Sequence, residues 1–216
     1  MPLKITFNVL TMNKAKILFL IVVAMITSAN VSAQLPVSFG VKAGINFSEI
    51  QKFEDDIKVG FNIGLTAEMP LADNFYLMSG LDLTTKGAKV KNYSLTDQQG
   101  VIYDDVNMNT MYLQLPVHAG YKLEVAPAIK LVFRGGPYFA YGIAGKMKGE
   151  AEGVTLDTDI FGDDTNRFDF GIGGAVGVEF ADKITASVGA DQGLTKIFKD
   201  GDQKNRCAYL SVGYKF

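Results

Sequence analysis

The chain has 216 residues, 48 % hydrophobic and 20 % charged, with a formal net charge of −2. That balance is ordinary for a folded domain and offers no basic excess for nucleic acid. Beyond the amino-terminal segment no run of 18 apolar residues occurs, which excludes a helical membrane span. A single cysteine, Cys207, excludes an internal disulfide and reads as a small buried side chain.

Residues 1–33 read as a secretory signal. Lys14 and Lys16 form the positive region, Ile17 to Ile26 the apolar core, and Val31-Ser32-Ala33 the small residues before a cut after Ala33. Met12 is the expected true start. Removing Lys4, Lys14 and Lys16 leaves 18 basic against 23 acidic residues, a balance of −5. Residues 34–216 are then the folded domain, and they hold no cysteine placed to carry a lipid anchor.

That domain alternates with a period of two. Over 36 to 48, Val37, Phe39, Val41, Ala43, Ile45 and Phe47 share one face; Gly40, Lys42, Gly44 and Asn46 share the other. A charged stretch from Glu49 to Lys58 follows. Residues 59 to 69 set Phe61, Ile63 and Leu65 against Asn62, Gly64 and Glu68. A short turn, Pro70 to Asn74, leads to a strand over 75 to 86, with Phe75, Leu77, Leu81 and Leu83 opposing Tyr76, Asp82, Thr84 and Lys86. After the polar segment 87 to 108, the strand 109 to 123 sets Met111, Leu113 and Leu115 against Tyr112, Gln114, His118 and Lys122.

A turn near Val125 to Pro127 precedes the strand 128 to 144, where Leu131, Phe133, Phe139 and Tyr141 oppose Lys130, Arg134 and Tyr138. Leu131 reads as mid-height on the apolar face. The longest loop, 145 to 166, is rich in Asp and Gly. Residues 167 to 180 place Phe168, Phe170, Ile172, Val176 and Phe180 against Asp169, Gly171, Gly173 and Glu179. Residues 184 to 194 place Ile184, Ala186 and Val188 against Ser187 and Asp191. The loop 195 to 205 precedes a last strand with Ala208, Leu210, Val212, Tyr214 and Phe216 on its apolar face.

Eight strands joined by four long loops and three short turns make an up-and-down antiparallel plan. The apolar face is too bulky for an eight-stranded lumen, and the other face, rich in Gly, Asn, Ser and Thr, would make a poor water-facing surface. The apolar face is therefore expected outward, against lipid. Aromatic residues fall into two girdles: Phe75, Tyr121, Phe180, Tyr214 and Phe216 near the short turns, and Phe47, Phe61, Tyr141 and Phe168 near the long loops. The predicted fold is all-β, an eight-stranded antiparallel up-and-down transmembrane β-barrel. Pro116 and Pro137, nearly equidistant from the turn at 126, suggest a paired bulge or bend near the upper rim.

The ending resembles the carboxy-terminal signal for outer-membrane barrel insertion, with Tyr214 and Phe216 as its aromatic residues. More broadly, Phe39-Gly40-Val41-Lys42-Ala43-Gly44-Ile45-Asn46-Phe47-Ser48, Leu113-Gln114-Leu115-Pro116, Gly136-Pro137-Tyr138, Phe168-Asp169-Phe170-Gly171 and Gly193-Leu194-Thr195 resemble the PorT-like outer-membrane β-barrel family, a group of small eight-stranded barrels of OmpA/OmpX type. The resemblance implies an outer-membrane barrel of a Gram-negative bacterium. The family's founding member assists protein secretion, and that role does not carry over with the motifs.

No enzyme is expected. His118 is the only histidine and points inward, so no nucleophile–base pair stands at the lipid face or in the loops. Asp157, Asp159, Asp163 and Asp164, and Asp200 and Asp202, lack the spacing of a calcium loop and read as solvated charge. Gly171, Gly173, Gly174 and Gly177 lie within a strand, where small side chains ease lumen packing, and not in a phosphate loop. No catalytic residue, cofactor or metal is expected. The expected partners are outer-membrane lipid, the barrel-insertion machinery during assembly and, as an alternative, envelope secretion components; nucleic acid is not among them. The leading reading is a structural or surface-interaction protein acting through four long extracellular loops. The alternatives are an accessory subunit of a secretion or assembly machine and, third, a lipid-modifying enzyme. One lumen network is predicted, with Asp82 or a nearby carboxylate bridging Lys42 and Arg134 while His118 and Tyr138 complete the hydrogen bonds.

Overall fold

The computed structural model describes residues 36–51, 55–90, 95–96, 102–151, 154–162, 165–199 and 201–216. The predicted signal peptide, 1–33, lies outside them, as do Asp163, Asp164 and Asp200. Eight long strands carry the fold: β1 (Ser38–Ile50), β2 (Lys58–Ala72), β3 (Phe75–Val90), β4 (Ile102–Ala126), β5 (Ile129–Ala151), β6 (Phe168–Phe180), β7 (Ile184–Gly193) and β8 (Asn205–Lys215). Each pairs antiparallel with its sequence neighbours. β1 also pairs with β8 from Gly40↔Lys215 to Ile50↔Asn205, so the sheet closes on itself. Closure leaves no free edge, the condition for placing a sheet in hydrocarbon.

The predicted faces hold on every strand. Ile45, Ile63, Phe133, Ile172, Val188, Leu210 and Val212 lie exposed on the outer wall, while Asn46, Asp82, Gln114, Asp169, Glu179 and Ser211 are buried inside. Near the long loops Phe47, Phe61, Tyr141 and Phe168 are exposed on the outer wall, and near the short turns Phe75, Phe180, Tyr214 and Phe216 are. Phe75 stacks edge-on against Tyr121 with centroids 5.0 Å apart, and Tyr214 against Phe216 at 5.9 Å. Leu131 is outward too, but it is the third residue of β5, beside the turn, opposite Leu123 and Val178. The middle of the wall is marked instead by Leu210, centred in β8 and opposite Ile45 and Val188. Leu210→Arg is expected to destabilise the barrel by about 2–4 kcal/mol, as a cation at the bilayer midplane does. Urea titration of the refolded barrel in liposomes measures this, and a change below the cost of a rim substitution would place Leu210 away from lipid.

The strands run longer than the sequence suggests. β4 has 25 residues and β5 has 23, where roughly 9–11 suffice to cross the hydrocarbon. Their upper parts, together with the short strand Val154–Asp159 on β5, make a ribbon from segments whose polar composition reads as loop. Outside hydrocarbon a ladder needs only its backbone hydrogen bonds, so no apolar face announces it.

The prolines also act differently from expectation. The β4–β5 ladder passes from Pro116↔Tyr138 to Ala119↔Gly135 with two pairs missing and no change of register, in the middle of the wall and not at its rim. The bulge sits higher, between Met111↔Ala144 and Tyr112↔Gly142, where Ile143 is the extra residue. It inverts the parity of β5, so Lys146 and Lys148 point outward above it.

Candidate functional site

The lumen is filled by charge arranged in three tiers. At the short-turn end, Glu179 on β6 is 2 % exposed and meets two ammonium groups, Lys122 Nζ at 3.0 Å and Lys215 Nζ at 2.7 Å. Glu68 joins the same two lysines, Lys215 at 3.3 Å. Two carboxylates and two ammoniums thus form a neutral quartet. The Lys122 ammonium also lies 4.9 Å from the centre of the Tyr76 ring. That ring rests on Gly120, where any Cβ would collide with it.

The middle tier holds Lys42, Asp82, Arg134 and His118. Lys42 Nζ meets Asp82 Oδ2 at 2.7 Å. The two residues share one row across the wall, Lys42↔Gly64↔Asp82, and the carboxylate lies over Gly64, where a Cβ would collide with Oδ1. Arg134 does not make the expected bridge to Asp82. Its Nη2 donates to Ser187 Oγ at 3.2 Å, and Ser187 bonds Ser211 at 3.0 Å. Lys42 reaches Asp82 along a wall row, whereas Arg134 lies on the row Tyr76↔Gly120↔Arg134, closer to the short turns than Asp82. Asp191 accepts from Gln114 Nε2 at 2.8 Å. Among the described residues, His118 finds no hydrogen-bond partner for either ring nitrogen, so it does not complete the network. With Asp82, Gln114, Arg134 and Asp191 it lines a polar cavity of about 20 Å³, room for about one water.

Tyr138 belongs to a different, upper tier. Its hydroxyl donates to Asp169 Oδ2 at 3.3 Å, as does Asn205 Nδ2 at 3.0 Å. Lys86, 2 % exposed, pairs with the same oxygen at 3.3 Å. The Lys86 ammonium stands 4.4 Å from the Tyr138 ring centre and 5.3 Å from that of Tyr112. An apolar environment makes an unpaired ammonium very costly, so carboxylate and ring faces together hold it.

Above this tier two of the long loops fold into the mouth. Ile160, Phe161 and Ile197 fold inward onto Ile50, Val106, Met108, Tyr112 and Tyr138. Phe161 stacks edge-on against Tyr112 at 5.9 Å, and Arg167 lies 5.0 Å over its other face while donating to the carbonyls of Gly142 and Phe161. Thr165 bridges to Phe198, and Asn166 N donates to Ile197 O at 2.8 Å, tying the two loops together. Sequence reasoning missed this cap; the signal was two apolar pairs, Ile160-Phe161 and Ile197-Phe198, inside otherwise polar loops. It also missed Lys122 and Glu179 as partners, although parity had placed both inward near the short turns. Of the loop acids, Asp157 binds Lys146 at 3.1 Å, and that hydrogen bond holds its carboxyl below the usual range. Among the described residues no group of three His, Cys, Asp or Glu side chains is arranged to hold a metal.

Residues 28–199 match the family described as Outer membrane protein beta-barrel domain. The chain belongs to this family. Solved structures with the same fold include a major outer membrane protein from Thermus thermophilus, 13 % identical, with a TM-score of 0.51 over 83 % of this chain and 99 % of that one. Ail, the attachment invasion locus protein of Yersinia pestis, is 14 % identical over 83 % of this chain and 97 % of its own, with a TM-score of 0.42. The outer membrane enzyme PagL is 13 % identical over 82 % and 98 %, with a TM-score of 0.46. No curated relative matches the chain. In an outer-membrane barrel the exposed apolar wall is the lipid-facing surface. The three charged tiers are its interior, and the tied loops are the part that stands clear of the bilayer.

Proposed function

We propose that this outer-membrane barrel is not an enzyme and works through the surface built by its long loops. The observation that carries this reading is the cap: Ile160, Phe161 and Ile197 bury their side chains in the barrel mouth, which orders two loops into one surface. A loop region that served only as a solvated connection would not bury large apolar groups. His118, without a hydrogen-bonded serine, threonine or carboxylate, supports the non-enzymatic reading. In this reading the amino-terminal signal exports the chain, Tyr214 and Phe216 guide its insertion, and the long loops face outward from the cell.

The alternative reading is an accessory subunit of an envelope secretion or assembly machine. Affinity purification of the full chain from detergent extracts separates the two. Stable co-purification with secretion components would establish the accessory role; a surface-interaction protein leaves them behind. Mass spectrometry of lipid A from a deletion strain tests the enzyme alternative, and an altered acylation pattern would overturn the proposal.

The filled lumen also sets an expectation for transport. Reconstituted in planar bilayers, the chain is expected to show no large, steady conductance, because side chains occupy the interior and Ile160, Phe161 and Ile197 are buried in its mouth. Discrete porin-sized steps would contradict the tiered lumen.

A further inference from the structure

The outer wall is interrupted where β2 meets β3 near the long loops. The β2–β3 ladder rises from Ala72↔Phe75 to Asn62↔Thr84 and resumes only at Asp56↔Lys89, one residue out of register. Around Phe61 side chains replace the ladder. The Thr85 hydroxyl accepts from Phe61 N–H at 2.7 Å and donates to Phe61 O at 3.1 Å. Asn46 Nδ2 donates to Phe61 O at 3.0 Å and to Thr85 O at 2.9 Å.

This seam borders a cavity of about 390 Å³ that extends over β4 and β5, within the range of about 300–1,000 Å³ usual for small-molecule sites. Its lining is graded with height. Val59, Phe61, Met111 and Ala144 form the lower, apolar part, level with the upper aromatic girdle. Lys58, Lys146, Lys148 and Asn109 form the upper part. Lys58 Nζ donates to Asn107 Oδ1 at 2.6 Å, and Asn107 is the ladder partner of Lys148, so both lysines flank one amide. Lys146 and Lys148 share the carboxylate of Asp157 at 3.1 and 3.7 Å. Asp159 lies opposite Lys146, and Asp56 opposite Lys89. Among the residues whose side chains are described, Lys58, Lys89, Lys146 and Lys148 stand here with Asp56, Asp157 and Asp159.

We propose that this seam binds an anionic, phosphate-bearing membrane lipid. Lys58, Lys146 and Lys148 hold the phosphate, and Val59, Phe61 and Met111 hold the first segment of an acyl chain. The apolar half opens onto the lipid-facing wall, and the ammonium groups stand just above the aromatic girdle, at headgroup level. A molecule with a phosphate directly above hydrocarbon satisfies both halves; a soluble anion satisfies only the upper one. Lysine is suited to this place because its stem stays along apolar surface while its head reaches the phosphate.

Native mass spectrometry of the delipidated full chain, offered equimolar dioleoyl phosphatidylglycerol and dioleoyl phosphatidylcholine, tests the assignment. The chain is expected to retain the anionic lipid preferentially, with the preference falling about fivefold per lysine removed. K58Q/K146Q/K148Q is expected to bring the two lipids to parity, whereas Lys183→Gln, at the opposite end, leaves the preference intact. K146Q/K148Q changes two exposed positions only and keeps the test valid should the triple variant fail to fold. Equal retention of both lipids by the unmodified chain would overturn the proposal, as would an unchanged preference in either variant. Displacement of the lipid by an equal concentration of inorganic phosphate would identify a free-anion site and overturn it as well.

Discussion

Glu179→Ala is expected to cost about 3–5 kcal/mol, the range for removing one partner from a buried ionic group. Glu179 carries two of the quartet's contacts with Lys215 and Lys122, at 2.7 and 3.0 Å. Without it both ammoniums depend on Glu68, whose side chain is already 19 % exposed. Two cations would then lie in a narrow interior with half of their compensation, beside the Tyr76 ring. Glu179→Gln keeps the shape and one accepting oxygen while losing the charge, so it is expected to fall between the unmodified chain and Glu179→Ala. Glu124→Ala, at an exposed position near the same end, serves as the silent control. Urea titration of the refolded barrel, read by heat-modifiable gel mobility, measures all three. A Glu179→Ala barrel as stable as the Glu124→Ala control would show that water enters the short-turn end freely enough to screen the lysines.

The second large effect is expected at Asp82, and its sign is more informative than its size. Asp82→Ala leaves Lys42 with a side chain 13 % exposed and no counter-charge at 2.7 Å. The expected cost is about 3–5 kcal/mol. Removing the cation as well, in Asp82→Ala/Lys42→Met, is expected to restore part of the loss, because a buried pair replaced by apolar groups is often neutral. A double-mutant cycle reads this directly: the double variant should be more stable than Asp82→Ala alone. Pairing Asp82→Ala with Arg134→Met is expected to restore less, since Arg134 bonds to Ser187 and not to Asp82. If the two single losses with Lys42 simply added, the row Lys42↔Gly64↔Asp82 would carry no ionic coupling.

Much of the barrel was legible because a strand has a period of two and a membrane wall must be apolar on one face only. Ile45, Ile63, Leu210 and Val212 could be placed outward by counting alone, and so could Asp82 and Lys42 inward. The aromatic girdles followed from the same count, and the register Phe75↔Tyr121 brings two of their members together. Where the apolar face ends, the count loses its signal. The upper parts of β4 and β5 and the strand Val154–Asp159 have no apolar face to keep, so their ladder was hidden in polar sequence.

The sequence by itself determined which side of the wall each membrane-level residue occupies, and hence that the lumen must hold charge. It did not determine which charges meet. Lys42 and Asp82 are separated by a whole strand, and their pairing follows from the registers of β1, β2 and β3 together with the bare backbone at Gly64. Tyr138 was assigned to the middle network because parity gives a face, not a height around a closed and staggered wall. The structure moves it to Asp169 and Lys86. One inserted residue, Ile143, reverses the faces of Lys146 and Met147, and no periodicity reveals a single insertion in advance. Ile160 and Phe161 leave the polar loop for the mouth only because Tyr112, Met108 and Ile50 converge there from different strands. Side-chain facing is a local property of the backbone and can be read along one chain. Partnership depends on the stagger of eight strands at once, which only the closed barrel sets.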